Sequence, residues 1–108
     1  RIRRYVRSLD VGDTVAVEDD LSLMETLPVN WVWMFRHKPV YAANADGIGT
    51  VTAGKLTLRF SAPLAFAYKE IPVADARMAK SYPGSLYCVT LTAEPALNHN
   101  CRFLFARG

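Results

Sequence analysis

The amino-acid sequence predicts a mainly β fold: a small antiparallel β-sandwich or β-barrel with one or two short helices. Three observations carry that prediction. Apolar and polar residues alternate with a period of two through most of the chain, which is the pattern of half-buried strands. Turn residues recur about every dozen positions, the spacing of short strands in all-β domains. The 108 residues, 51% hydrophobic and 21% charged, are enough for one packed core without staples. Residues 1–108 are therefore read as a single β-rich domain.

Each element follows in chain order. In the first segment Ile2, Arg4 and Val6 share one face, and Arg1, Arg3, Tyr5 and Arg7 share the other. Gly12-Asp13 is a turn signal, after which Thr14-Val-Ala-Val17 alternates cleanly. Asp19 and Asp20 are placed to cap a short helix over Leu21–Leu27, with Leu23, Met24 and Leu27 on one side and Pro28 as its end. Val29 to Ala43 reads as a strand broken at Pro39. Its two faces, Trp31, Trp33 and Phe35 against Val32 and Met34, are both apolar, which predicts a central strand covered twice.

Asn44-Ala-Asp-Gly47 supplies turn chemistry, because Asn, Asp and Gly tolerate positive φ. Gly49 to Phe60 follows, with Gly54 as a bulge or tight turn; Leu56, Leu58 and Phe60 point in, and Lys55, Thr57 and Arg59 point out. Leu64, Phe66 and Tyr68 repeat the rhythm. Pro72–Lys80 is the second helix candidate, since Pro suits a first helical turn and Ala, Arg, Met and Lys are good formers; Pro83-Gly84 ends it. The last unit is predicted as a hairpin, Leu86–Thr92 and Asn100–Ala106 around Glu94-Pro95-Ala96. That register sets Cys88 opposite Cys101, as a disulfide or as a buried, reduced thiol pair.

Enzyme chemistry is disfavoured. A nucleophile needs a positioned base, yet the only histidines, His37 and His99, sit in no recognisable signature, and no nucleophile-elbow, zincin or phosphate-loop motif occurs. Gly47-Ile-Gly49 lacks the rest of a dinucleotide fingerprint and reads as a turn. Glu18-Asp-Asp20 reads as a helix cap in preference to a cation site. His99, Cys101 and Cys88 would give three metal ligands across the hairpin, but no fourth, so no metal and no cofactor is expected.

Binding is the remaining class. The net charge of +3 permits an anionic partner without demanding one. Arg1, Arg3, Arg4 and Arg7, with Tyr5 between them, are the candidate phosphate or nucleic-acid contacts, because guanidinium forks pair with phosphates and an aromatic stacks on a base; Arg36 and Lys38 would widen that patch. The competing account is a solvated edge strand whose charges discourage aggregation. The Trp31, Trp33, Phe35 stripe reads as core, with a partner-facing surface as its alternative. No run approaches the roughly 18 apolar residues of a membrane span, so no membrane contact is expected. No signal-peptide core follows Arg7, and the compartment stays open.

One segment resembles a known family. Thr50–Pro63, through Gly54, Leu56, Leu58, Phe60 and Pro63, is similar to the last strand of the jelly-roll shell domain in coat proteins of small icosahedral RNA viruses. That resemblance implies self-assembly and RNA packaging. The expected function is thus a non-enzymatic binding or structural module acting through a protein partner or self-assembly. The alternatives are a nucleic-acid-binding domain using the N-terminal arginines and a capsid-like viral structural protein.

Overall fold

The computed structural model describes residues 2–72 and 85–107. These form seven strands: β1 (Ile2–Val11), β2 (Val15–Phe35), β3 (Val40–Ala43), β4 (Gly49–Ala53), β5 (Leu56–Phe60), β6 (Ala65–Pro72) and β7 (Ser85–Arg107). All join one antiparallel sheet in the order β1-β2-β7-β5-β4-β3, with β6 also paired to β7. The mainly β, antiparallel fold is as the alternation predicts.

Two strands are too long to be straight. At about 3.3 Å per residue, β7 would run to about 76 Å, whereas the largest extent of the molecule is 43 Å. Both β2 and β7 therefore bend, and the register irregularities of their ladder, between Ser22 and Leu27 and between Leu27 and Val29, mark the place. There the partner strand advances only from Asn98 to Ala93, so extra β2 residues bulge and turn the ladder. On one side of the bend lie β1, the first half of β2, the second half of β7, β5, β4 and β3. On the other lie the second half of β2, the first half of β7, and β6.

The two leaves face each other over one core. Phe103 on the first leaf, fully buried, meets Trp31 at 5.4 Å and Trp33 at 5.2 Å between ring centroids on the second. Trp33 also packs edge-on against Phe105 at 5.0 Å, and Tyr41 of β3 stacks on Phe66 of β6 at 4.7 Å. Such offset and edge contacts add to simple area burial. The Trp31, Trp33, Phe35 face is thus core. Its reverse face is not covered as expected: Val32 and Met34 are 55% and 51% exposed, because that side of the second leaf faces outward.

Three sequence expectations are corrected. Leu21–Leu27 is not a helix but part of β2. Met24, on the supposed buried side of that helix, is 65% exposed, while Val17, Asp19, Leu21 and Leu23 continue an every-other-residue buried row that two neighbouring strands satisfy. Glu18-Asp19-Asp20 accordingly caps nothing. Leu86–Ala106 is not a hairpin but one strand, in which Pro95 and Ala96 sit at the bend; its two halves pair with the two halves of β2 instead of with each other. Of the second helix candidate, Pro72 ends β6, and 73–80 with Pro83-Gly84 lies outside the described residues. Among the described residues there is no helix.

The bend costs backbone partners, and His99 replaces them. Its buried Nε2 lies 2.9 Å from the Leu27 carbonyl and 3.1 Å from that of Ala96. Carbonyls only accept, so Nε2 carries the proton and donates to both. His99→Ala is expected to cost about 1–3 kcal/mol, the penalty of unsatisfied buried acceptors. Urea unfolding should show it as a lower midpoint at unchanged slope; an unchanged midpoint would show that the bend holds without this side chain.

Candidate functional site

The site grows from the first hairpin. Val11 and Val15 face each other across Gly12-Asp13-Thr14, closed by a Gly12 N–H to Thr14 carbonyl bond of 2.9 Å. That register sets Arg7 opposite Asp19, Tyr5 opposite Leu21 and Leu9 opposite Val17. From Arg4 to Val11, odd positions of β1 therefore share the inward face of β2 and even positions the outward one, while beyond the register irregularity Ile2 lies opposite the buried Leu23.

Asp19 is buried and receives three donors. Arg7 gives Nε at 2.6 Å and Nη2 at 2.7 Å, one to each carboxylate oxygen, and Trp31 Nε1 donates at 2.9 Å. Arg7 and Asp19 lie on the first leaf and Trp31 on the second, so the cluster pins the bend shut. The Arg7 guanidinium also lies 5.7 Å from the Trp33 ring centroid, within cation–π range. Burial, the largest single influence, pushes the Asp19 carboxyl up. The hydrogen bonds from Arg7 and Trp31, with the charge of Arg7, outweigh it and hold the group below the usual carboxylate range. The hydrogen bond to Asp19 in turn raises Arg7. A carboxylate held this firmly is a poor base at neutral pH.

Beside this cluster, between β1 and the bend of β2, opens a cleft of about 400 Å³ lined mainly by Ile2, Tyr5, Leu23, Leu27 and Pro28, with Arg7 and Asp19 among its walls. Every residue of β1 is exposed, including Ile2 at 59%, Leu9 at 64% and Val11 at 68%. On its far side β1 pairs with no strand among the described residues.

Of the four sequence-predicted arginines, Arg4 and Arg7 are placed on opposite faces of β1. Arg1 lies outside the described residues. Arg3 sits at a register irregularity, Arg4 is on the outward face opposite Ser22, and Arg7 is engaged inward by Asp19. Lys38 and Arg36 follow β2, away from this strand in sequence.

Cys88 and Cys101 do not face each other. Both are free thiols: Cys88 is opposite Met34 and Lys69, and Cys101 is opposite Asp19 in the fully buried core. Burial pushes the Cys101 thiol up, which keeps it protonated and inert. His99, spent on two carbonyls, joins neither. Among the described residues no group of three or more His, Cys, Asp and Glu side chains is placed to hold a metal ion, and no helix is long and apolar enough to cross a membrane.

The Arg7–Asp19 pair is the feature sequence reasoning missed. Its signal was incomplete: counting outward from Gly12-Asp13 alone brings Arg7 opposite Glu18, and only the three-residue loop Gly12–Thr14, with Val11 opposite Val15, brings residues 7 and 19 together. No protein-family model matches the sequence, and no curated protein is similar to it beyond chance.

Proposed function

We propose that the domain is a non-enzymatic binding module that acts through protein–protein contact, and that its partner is a second copy of this chain paired along β1. The observation that carries this reading is the edge of β1, which pairs with no further strand among the described residues and belongs to a strand of ten residues whose apolar side chains are exposed. A free edge presents a row of backbone donors and acceptors ready to continue a sheet.

The strand is complementary to itself in one register. A two-fold axis normal to the sheet pairs residues of equal parity. Centred on Arg7, it sets Arg4 against Asp10 twice and Tyr5 against Leu9 twice, with Val6 against Ser8. Asp10 is the one acid of β1, and of the registers centred on Val6, Arg7 and Ser8 only this one gives it an arginine. The two central arginines each bring their own Asp19, which offsets their repulsion. Assembly also agrees with what the resemblance of residues 50–63 to jelly-roll coat proteins implies. In the same reading, the folded-over sheet, with its two leaves facing across one core, is the sandwich-like form of the fold.

The test is a charge swap followed by sedimentation over a range of concentrations. The unaltered chain should show mass rising with concentration. Asp10→Arg should weaken self-association by roughly tenfold or more, the worth of opposed charges turned to like charges across a strand pair. Arg4→Asp combined with Asp10→Arg should restore it, because the pairing is then merely reversed. A strict monomer at every concentration, or a double variant no better than the single one, would end the proposal.

A further inference from the structure

Two irregularities of the sheet converge on the cleft beside the Arg7–Asp19 pair. In β1 the register shifts between Ile2 and Arg4, where two steps along β1 match one step along β2, from Leu23 to Ser22. That bulge turns Ile2 onto the inward face, opposite the buried Leu23 and on the same side as Tyr5, although strict alternation would send it outward. In β2 the extra residues between Ser22 and Leu27 turn the chain, and Leu27 and Pro28, just past them, form a second wall. That wall is held in place. The Leu27 carbonyl accepts from the buried His99 at 2.9 Å, and the Pro28 ring fixes its own φ. The space between, about 400 Å³, falls in the size range of small-ligand sites.

The lining is apolar around one polar pair. Ile2, Tyr5 and Leu27 are all exposed there, so an occupant removes apolar surface from water. Arg7 gives Asp19 one hydrogen from Nε and one from Nη2, and its side chain stays half-exposed at the wall of the cleft. Further guanidinium N–H groups are therefore at hand for an acceptor. The charges of the pair, however, already cancel. A ligand anion would lie beside the Asp19 carboxylate and a ligand cation beside the guanidinium, each repelled about as much as attracted. An uncharged acceptor meets no such conflict. Charge complementarity thus selects a neutral head group, and the walls select an apolar body.

We infer that this cleft binds a small, uncharged, mainly apolar molecule bearing a carbonyl group, its oxygen accepting from Arg7 and its body resting on Ile2, Tyr5, Leu27 and Pro28. The site lies on the face of β1 and not along its edge, so it stands whether or not two copies pair there.

Three probes that share one apolar body test it in titrations followed by backbone amide chemical shifts: cyclohexanecarboxamide, cyclohexanecarboxylate and cyclohexylmethylammonium. The carboxamide should give saturable shifts at Tyr5, Arg7, Leu23 and Leu27. Its affinity should exceed that of either ion by roughly tenfold or more, since an ion gives up hydration beside a like charge. Ile2→Asn, at an exposed position, should weaken the carboxamide by roughly tenfold, the worth of about two buried methylenes. Val11→Asn, on the same strand but not lining the cleft, should leave it unchanged. The capped peptide acetyl-Val-Thr-Val-Thr-amide separates a small molecule from an added strand, and it should bind more weakly than the carboxamide. Tighter binding of the peptide, with shifts running from Val29 to Phe35, would make an extended chain the occupant and overturn the assignment. No saturable shift with the carboxamide, an ion that binds as tightly, or equal affinity in Ile2→Asn would overturn it as well.

Discussion

Asp19→Ala is expected to lower the unfolding free energy by about 3–5 kcal/mol, the combined cost of losing charge-assisted hydrogen bonds and leaving a buried donor unsatisfied. The loss has two parts. The substitution deletes three hydrogen bonds from a buried carboxylate, and it leaves the Trp31 indole N–H without an acceptor inside the core. Asp19→Asn should cost less, since its amide oxygen can still accept from Trp31 and the half-exposed Arg7 can turn to water. Equilibrium urea unfolding of the three proteins at neutral pH checks the order.

The same pair makes a pH prediction. Because the folded state holds the Asp19 carboxyl below its usual range, its stabilisation is complete at neutral pH. It is lost as pH falls below about 4, through the depressed folded value, since protonation is then taken up preferentially by the unfolded chain. Stability of the unaltered protein should therefore fall in that acid window, and fall less in Asp19→Asn. Parallel acid profiles for the two would show that other carboxylates govern the transition.

Phe103→Ala should be as damaging, at about 3–5 kcal/mol, against a total of about 5–15 kcal/mol for a domain of ordinary stability. Phe103 is fully buried and lies between Trp31 and Trp33, facing Val17 on β2 and Phe60 on β5. Its loss leaves a cavity that the strands cannot collapse into, because their backbones are fixed by the ladders on both sides. Two readouts apply: a lower urea midpoint, and a red shift of native tryptophan emission as water reaches the indoles. Phe103→Leu should retain most of the stability. An alanine variant within about 1 kcal/mol of the unaltered protein would mean that the leaves are not joined through this ring.

Much of the fold was legible in the chain because alternation reports directly on which side of a strand faces the core. Leu56, Leu58 and Phe60, the Trp31–Phe35 row and the Asn44–Gly47 turn were all readable this way. In that turn the Asn44 side-chain oxygen accepts from the Asp46 and Ile48 amides, as its chemistry suggests. Other features were misread for a physical reason. Leu23, Met24 and Leu27 fit a helical spacing as well as a strand, and Glu94-Pro95-Ala96 suits a bend as well as a reversal. Local composition does not distinguish these outcomes, because the difference lies in which distant strand supplies the hydrogen bonds.

The candidate site was less legible for the same reason. The arginines of the first strand were visible as charges, but whether each meets water, phosphate or a carboxylate depends on what the hairpin sets opposite. For Arg7 the answer is Asp19. Arg107, Lys55 and His37 line one concavity, from far-separated positions that no spacing rule links.

By itself the sequence determined that this chain makes antiparallel strands around one core, and many of the side chains that enter it, since residue alternation and turn chemistry are local properties. Tertiary structure decided that two strands run unbroken through a bend, that the cysteines lie apart, and that an aspartate is buried against an arginine and an indole. Those outcomes depend on pairing between remote segments, where the free energy of completing a ladder and filling a shared core outweighs what any short stretch prefers alone.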